Sequence, residues 1–190
     1  MRAIVCMDLN HGIGYKNDLL YKNKQDMKNF IDRTMEIGCV IMGNNTFKSI
    51  GSKPLKGRIN VVICTDKTLI FDKDGKLNIW NFSNINAIAT FFPQSMVIGG
   101  EQIYRAFEQY IDMYYVTEVL DDVKQSDTFF PSINKLNTMA QVIVLETIAT
   151  DTIPAFRYSI FLDKEKYKPN IENMILKGEY IYNYKMELQQ

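Results

Sequence analysis

Apolar residues cluster in short runs along the first hundred positions, and between the runs they recur every three or four residues. The runs AIVCM (residues 3 to 7), CVIM (39 to 42), INVVIC (59 to 64) and MVIG (96 to 99) are apolar at nearly every position, which predicts strands buried on both faces of a sheet. LNIWNF, at residues 77 to 82, is a fifth candidate. Further on, MYYVTEV and then AQVIVLET followed by FRYSIFLD mix polar with apolar positions and predict a late antiparallel pair, for a count of eight strands. The intervening periodic stretches predict helices near residues 24 to 36, 44 to 50, 84 to 91 and 101 to 109, each entered through Asn, Thr, Ser or Gly. Strands alternating with helices imply an α/β domain around a mainly parallel sheet. After Asp163 the sequence turns polar, passes Pro169 and ends weakly amphipathic. The predicted division is a domain over residues 1 to 163 and an extension over 164 to 190.

One helix raises a chemical question. In NKQDMKNFIDRTM, Asn23 can cap the first turn and Asp26 takes the third helical position, where a carboxylate complements orphan amides and the helix dipole. Asp26 also lies one turn from Phe30, at the edge of a Met27, Phe30, Ile31 stripe, so it could equally border an apolar pocket with a raised pKa and bind a donor-rich ring. The helix alone leaves both readings open.

Composition narrows the function classes. The 190 residues are 46% hydrophobic, enough for one cored domain, and 22 basic residues balance 22 acidic ones. That balance argues against a nucleic-acid or polybasic membrane binder. Cys6, Cys39 and Cys64 sit in apolar runs without metal-like spacing, which suggests reduced thiols and a cytoplasmic setting. A single histidine, His11, excludes multi-histidine metal sites, and no metal is expected. No stretch approaches the ~20 apolar residues of a membrane span, and no signal-peptide core is expected before Asp8.

In open α/β sheets ligands bind beyond the carboxyl ends of the strands. Two such junctions carry glycine: VIMGNNTFKSIG, where Gly43 ends a strand ahead of Thr46, and MVIGGEQIY, where Gly99 and Gly100 precede a helix beginning near Glu101. Two helix N-termini at one sheet edge suit a ligand with two phosphates, although glycine after a strand also makes an ordinary turn.

The order of AIVCMDLNHGIGYKNDLL, QDMKNF, VIMGNNTFKSI, PLKGRINVVI, MVIGGEQIY, YVTEV and SDTFFP resembles the dihydrofolate reductase family over residues 1 to about 163. The resemblance implies a mixed eight-stranded sheet flanked by four helices, and NADPH-dependent reduction of 7,8-dihydrofolate to tetrahydrofolate, the one-carbon chemistry behind thymidylate and purine synthesis and a target of antifolates. It makes Asp26 the catalytic carboxylate, accepting from the pterin 2-amino group and N3 side, with Thr117 hydrogen-bonded to it. Ile4, Val5, Cys6 and Ile98 line the pterin pocket; Met27, Phe30, Ile50 and Leu55 form apolar walls; Arg58 pairs with the α-carboxylate of the glutamate tail, for which a planar fork suits. Residues 9 to 23 match a closing loop, with Ile13, Gly14 and Leu19 near the nicotinamide. On the cofactor side stand Cys6, Gly43, Asn44, Asn45, Thr46, Thr65, Ile98, Gly99, Gly100, Glu101, Gln102, Ile103 and Tyr104.

Two departures modify the expectation. Asn44, Asn45 and Gln102 replace residues that are often basic, which leaves Lys48 or Lys67 to face the 2'-phosphate and NADH as an alternative donor. Leu20-Tyr21 replaces the usual proline-tryptophan pair, with the tyrosine expected to keep a water-mediated substrate contact. Rival readings are a pyrimidine reductase of riboflavin synthesis, whose substrate has no glutamate tail, and an inactive reductase-like assembly module. The expected partners are dihydrofolate and cofactor, with no nucleic acid or membrane. A monomer is expected, with the tail from Lys164 as the route to any association.

Overall fold

The computed structural model describes residues 1–65, 70–71, 77–120, 122–177 and 181–182, leaving aside the side chains of residues 70, 71 and 81. The strands are β1 (Arg2–Asp8), β2 (Gly12–Tyr15), β3 (Asp18–Leu19), β4 (Cys39–Gly43), β5 (Ile59–Cys64), β6 (Ile70–Phe71), β7 (Leu77–Asn81), β8 (Met96–Gly99), β9 (Met113–Val119), β10 (Thr128–Phe129), β11 (Ala140–Glu146), β12 (Phe156–Leu162) and β13 (Ile181–Tyr182). The helices are α1 (Lys24–Ile37), α2 (Asn44–Ser49), α3 (Ile85–Phe91), α4 (Glu101–Phe107), α5 (Ile133–Thr138) and α6 (Lys168–Leu176).

Ten strands form the main sheet in the order β13-β11-β12-β9-β1-β8-β4-β5-β7-β6. The inner eight are the eight read from the sequence, and all four expected helices are present. What the hydrophobic pattern did not carry is short: two-residue strands at each edge, the small sheet β10-β2-β3, and α5 and α6. The expected late antiparallel pairing is present, since β12 pairs antiparallel with both β9 and β11, and β9 in addition runs parallel to β1.

Strand alternation divides the core. Ala3, Val5 and Met7 of β1 join one cluster with Ile41, Val61, Val97 and Phe107, while Ile4 points to the opposite face with Val40, Met42, Val62 and Tyr115. Every residue of β4 is buried, which explains its unbroken apolar run. The extension folds back on the sheet. Ile171 of α6 is fully buried against Ala140, Val142, Leu162 and Ile181, and β13 pairs with Gln141 and Val142 of β11. Among the described residues, no helix is long and apolar enough to cross a membrane.

Candidate active site

β1, β4, β5 and β8 run parallel, so their carboxyl ends share one edge, and a cleft of about 680 Å³ opens there, between α1 on one side and α2 and α4 on the other. Ile4, Val5 and Cys6 form part of its wall from β1, Ile98 from β8, Met27 and Phe30 from α1, Ile50 from the end of α2, and Leu55 from the turn before β5. Asp26 is the carboxylate set into that apolar wall. Asn23 fixes its position: the Asn23 Oδ1 accepts from the Gln25 amide at 2.8 Å and the Asp26 amide at 3.4 Å, so Asp26 is the third residue of a capped helix. The helix-start position and the place beside an apolar pocket therefore coexist. Burial raises the Asp26 carboxyl above the ordinary range, and a hydrogen bond from the Thr117 hydroxyl partly counters it. Thr117 is buried on β9, behind the cleft rather than on its wall.

Arg58 also stands outside the lining. Its Nη1 donates to the Thr34 hydroxyl at 2.7 Å and its Nε to the Lys56 carbonyl at 3.1 Å, which holds the guanidinium half-buried one turn beyond Leu55. The turn itself is clamped by Asn60: its Oδ1 accepts from the Leu55 amide at 2.8 Å and its Nδ2 donates to the carbonyls of Leu55 and Arg58. Among the described residues no carboxylate pairs with Arg58, and burial alone lowers its pKa.

The opposite half of the cleft is built from glycine and helix starts. Gly43 and Gly100 are the N-caps of α2 and α4, neither helix has a side-chain cap, and both ends open on the cleft with Thr46, Gln102 and Ile103. A Cβ on Gly43 would lie 3.0 Å from Ile103 Cγ1, and one on Gly100 would lie 3.4 Å from Thr46 Oγ1. Gly99 adopts φ +125, a conformation that L side chains rarely take. This close-approach cradle, with two helix starts that no side chain caps, fits a dinucleotide diphosphate. Glu101, in the first turn of α4, is neutralised by Arg105 at 3.3 Å and accepts from the Phe129 amide at 3.3 Å. Tyr104 borders the cleft, yet its hydroxyl donates to the Ile4 carbonyl at 2.6 Å and so ties α4 to β1. Asn44, Asn45 and Thr65 complete the cofactor-side positions on the wall; Lys48 lines a polar recess with Asn17, Asn45 and Ser49, and Lys67 lies outside the described residues.

Ile13, Gly14 and Leu19 reach the cleft from the segment read as a closing loop, but that segment is a hairpin, β2 against β3, bound to β10. Tyr21, for which a water-mediated substrate contact is expected, turns its hydroxyl away from the cleft. Tyr21 is 6% exposed, is absent from the cleft wall, and donates its hydroxyl to the Asp122 carbonyl. Residues that the sequence did not single out also line the cleft: Asn17, Asp18, Ser49, Ile63, Cys64, Phe82 and Thr128. Ser49 was legible as one turn after Thr46, and Thr128 from its place in SDTFFP; Phe82 carried no signal. The Cys6 thiol, buried beside Asp26 and Asp8, is pushed well above its ordinary pKa and stays protonated. Among the described residues no group of side chains has the makings of a metal site.

Residues 1–162 match the family model described as dihydrofolate reductase. The chain is 35% identical over 130 residues, 67% of its length and 76% of the relative's, to the dihydrofolate reductase of Buchnera aphidicola subsp. Acyrthosiphon pisum. It is 31% identical over 131 residues, 69% of its own length and 78% of the relative's, to that of Haemophilus influenzae. A solved structure of similar fold is the dihydrofolate reductase from Enterococcus faecalis complexed with NADP(H) and RAB-propyl, with a TM-score of 0.69 at 22% identity over 85% of this chain and 94% of that one.

Proposed function

The chain belongs to the dihydrofolate reductase family, and from that premise we propose that its cleft carries out the NADPH-dependent reduction of 7,8-dihydrofolate with Asp26 as the catalytic carboxylate. The observation that carries the assignment is the placement of Asp26: one carboxylate with a burial-raised pKa, set in an apolar wall and facing a glycine cradle across the same cleft.

The Asp26 oxygens accept from the 2-amino group and N3 side of the pterin, a charge-assisted pair that fixes which ring edge enters. The Thr117 hydroxyl restricts the carboxylate's rotation. Ile4, Val5, Phe30, Ile50 and Leu55 exclude water around the ring system, which strengthens every polar contact inside. Arg58, already steered by Thr34 and the Asn60-clamped turn, meets the glutamate α-carboxylate. The cradle of Gly43, Thr46, Gly99 and Gly100 holds NADPH, which supplies the hydride for C6. Asp26 favours protonation at N5 by selecting the ring tautomer, while the proton enters from a water admitted past the hairpin.

The neutral Asn44, Asn45 and Gln102 on the cofactor side support weak discrimination between NADPH and NADH, since charge pairing with the 2'-phosphate is what separates them. A preference of about tenfold or less is expected. The cytoplasm, where the three free thiols stay reduced, is the proposed location. A pyrimidine reductase of riboflavin synthesis would have no use for the combination of Asp26 and Arg58, and an assembly module no use for the cradle.

The test is the loss of reduced-cofactor absorbance on adding dihydrofolate, with NADPH and NADH in parallel and Asp26→Asn as control. Oxidation that depends on dihydrofolate and collapses in the variant supports the reading; a folded wild type inert with both cofactors refutes it.

A further inference from the structure

The last residue of β1 is a carboxylate where the strand's other inward positions are apolar. Asp8 is 1% exposed, and its contacts are three backbone amides and one hydroxyl. Its Oδ1 accepts from the amides of Asn10 at 3.0 Å and Gly12 at 2.9 Å. Those two bonds alone would make a local turn. The second oxygen does something else: Oδ2 accepts from the Lys124 amide at 3.3 Å and faces the Tyr21 hydroxyl at 3.5 Å. Tyr21 in turn donates to the Asp122 carbonyl, and Lys124 closes over it, with Nζ 4.4 Å from the ring centroid and 3.2 Å from the Leu20 carbonyl. One buried carboxylate thus joins the end of the central strand to residue 12, to residue 21 and to the 122–124 segment. Between those two roots lie Ile13, Gly14, Asn17, Asp18 and Leu19, the part of the hairpin that lines the cleft.

We propose that Asp8 is a positioning residue of the lid: acting through Tyr21 and the amides of Gly12 and Lys124, it holds both roots of the 13–19 segment at fixed distances from β1 and so sets how the segment closes over the reacting rings. The inference rests on the reductase reading for its kinetic consequence, but the anchoring itself is a property of the ligand-free chain. It accounts for the inward turn of Tyr21, whose hydroxyl lies 3.5 Å from Oδ2 while it donates to the Asp122 carbonyl.

Two variants test it. Tyr21→Phe keeps the ring and removes the hydroxyl; Asp8→Asn keeps the volume but turns an amide NH₂ toward the donors of Tyr21 or Lys124. Amide hydrogen exchange of the ligand-free proteins is expected to speed at least tenfold across 13–19 in both, with α1 and the sheet unchanged. In turnover with NADPH deuterated at the transferred position, both variants are expected to show a larger isotope effect on kcat than wild type, because a lid that closes imperfectly makes hydride transfer the slower step. Exchange across 13–19 that stays at the wild-type rate, or an unchanged isotope effect accompanied by a lower Tm, overturns the proposal and leaves Asp8 as a turn cap. A wild type inert toward dihydrofolate sinks the reductase reading, while the exchange comparison still decides whether Asp8 anchors the segment.

Discussion

Asp26 does two jobs that pull in opposite directions. As the third residue of a capped helix it is well placed, but burial keeps its carboxyl more tightly protonated in the folded chain than in the unfolded one. The stability this confers is complete in acid and is lost as pH rises through the raised folded value, so at neutral pH the ionised group destabilises the fold. Asp26→Asn is therefore expected to melt above wild type at pH 7, the gap closing toward about pH 4, while catalytic efficiency falls on the order of 100-fold; calorimetry across pH beside the cofactor assay reads both. Arg58→Ala should act differently. Losing one charge-assisted pair raises KM for dihydrofolate by about 10- to 100-fold with kcat nearly intact, and a dihydropterin without the glutamate tail should not feel it. Residues such as Asp26 and Gly99 were legible because a carboxylate beside an apolar stripe, or a glycine pair after a strand, breaks a local rule. Asp8 and Asn60 were not, since each works through partners far along the chain: Asp8 through residues 21 and 124, Asn60 through the 55–58 turn.

Elements followed from the chain where periodicity had room to declare itself. The eight inner strands and helices α1 to α4 are long or apolar enough to be read directly, whereas β3, β6, β10 and β13 contain two residues each and exist only because a neighbour pairs with them. The hairpin of β2 and β3 shows the same limit: its glycines and polar residues spell a loop, and only docking on β10 makes it a small sheet. Local signals did fix helix boundaries. α1 begins at its Asn23 cap and ends at Gly38, in the left-handed conformation with φ 75. Asn23→Ala is expected to cost about 1 kcal/mol, or about 2–4 °C in Tm for a domain of this size, and to weaken dihydrofolate binding as well, because the cap holds the turn that carries Asp26. Thermal melts and a substrate titration on the same variant would reveal whether the two losses travel together.

For the molecule as a whole, the extension past Asp163 contributes a third apolar cluster at the β11 edge. Ile171→Ala, which empties a fully buried site there, is expected to cost about 2–5 kcal/mol in urea unfolding without changing KM for either ligand. A chain ending at Asp163 should lose stability while keeping its oligomeric state in solution; a changed oligomeric state with stability intact would instead make the extension an association surface. The sheet order also carries a consequence in time. β1 leaves the ribosome well before its partners β8 and β9, which lie about a hundred residues later in the chain. At roughly 5–20 residues per second, Ala3, Val5 and Met7 wait at least several seconds for the strands that will flank them. A strand buried at five of its seven residues in the finished protein is thus a long-exposed liability of the nascent chain, and it is there that a chaperone holding the emerging chain would matter most.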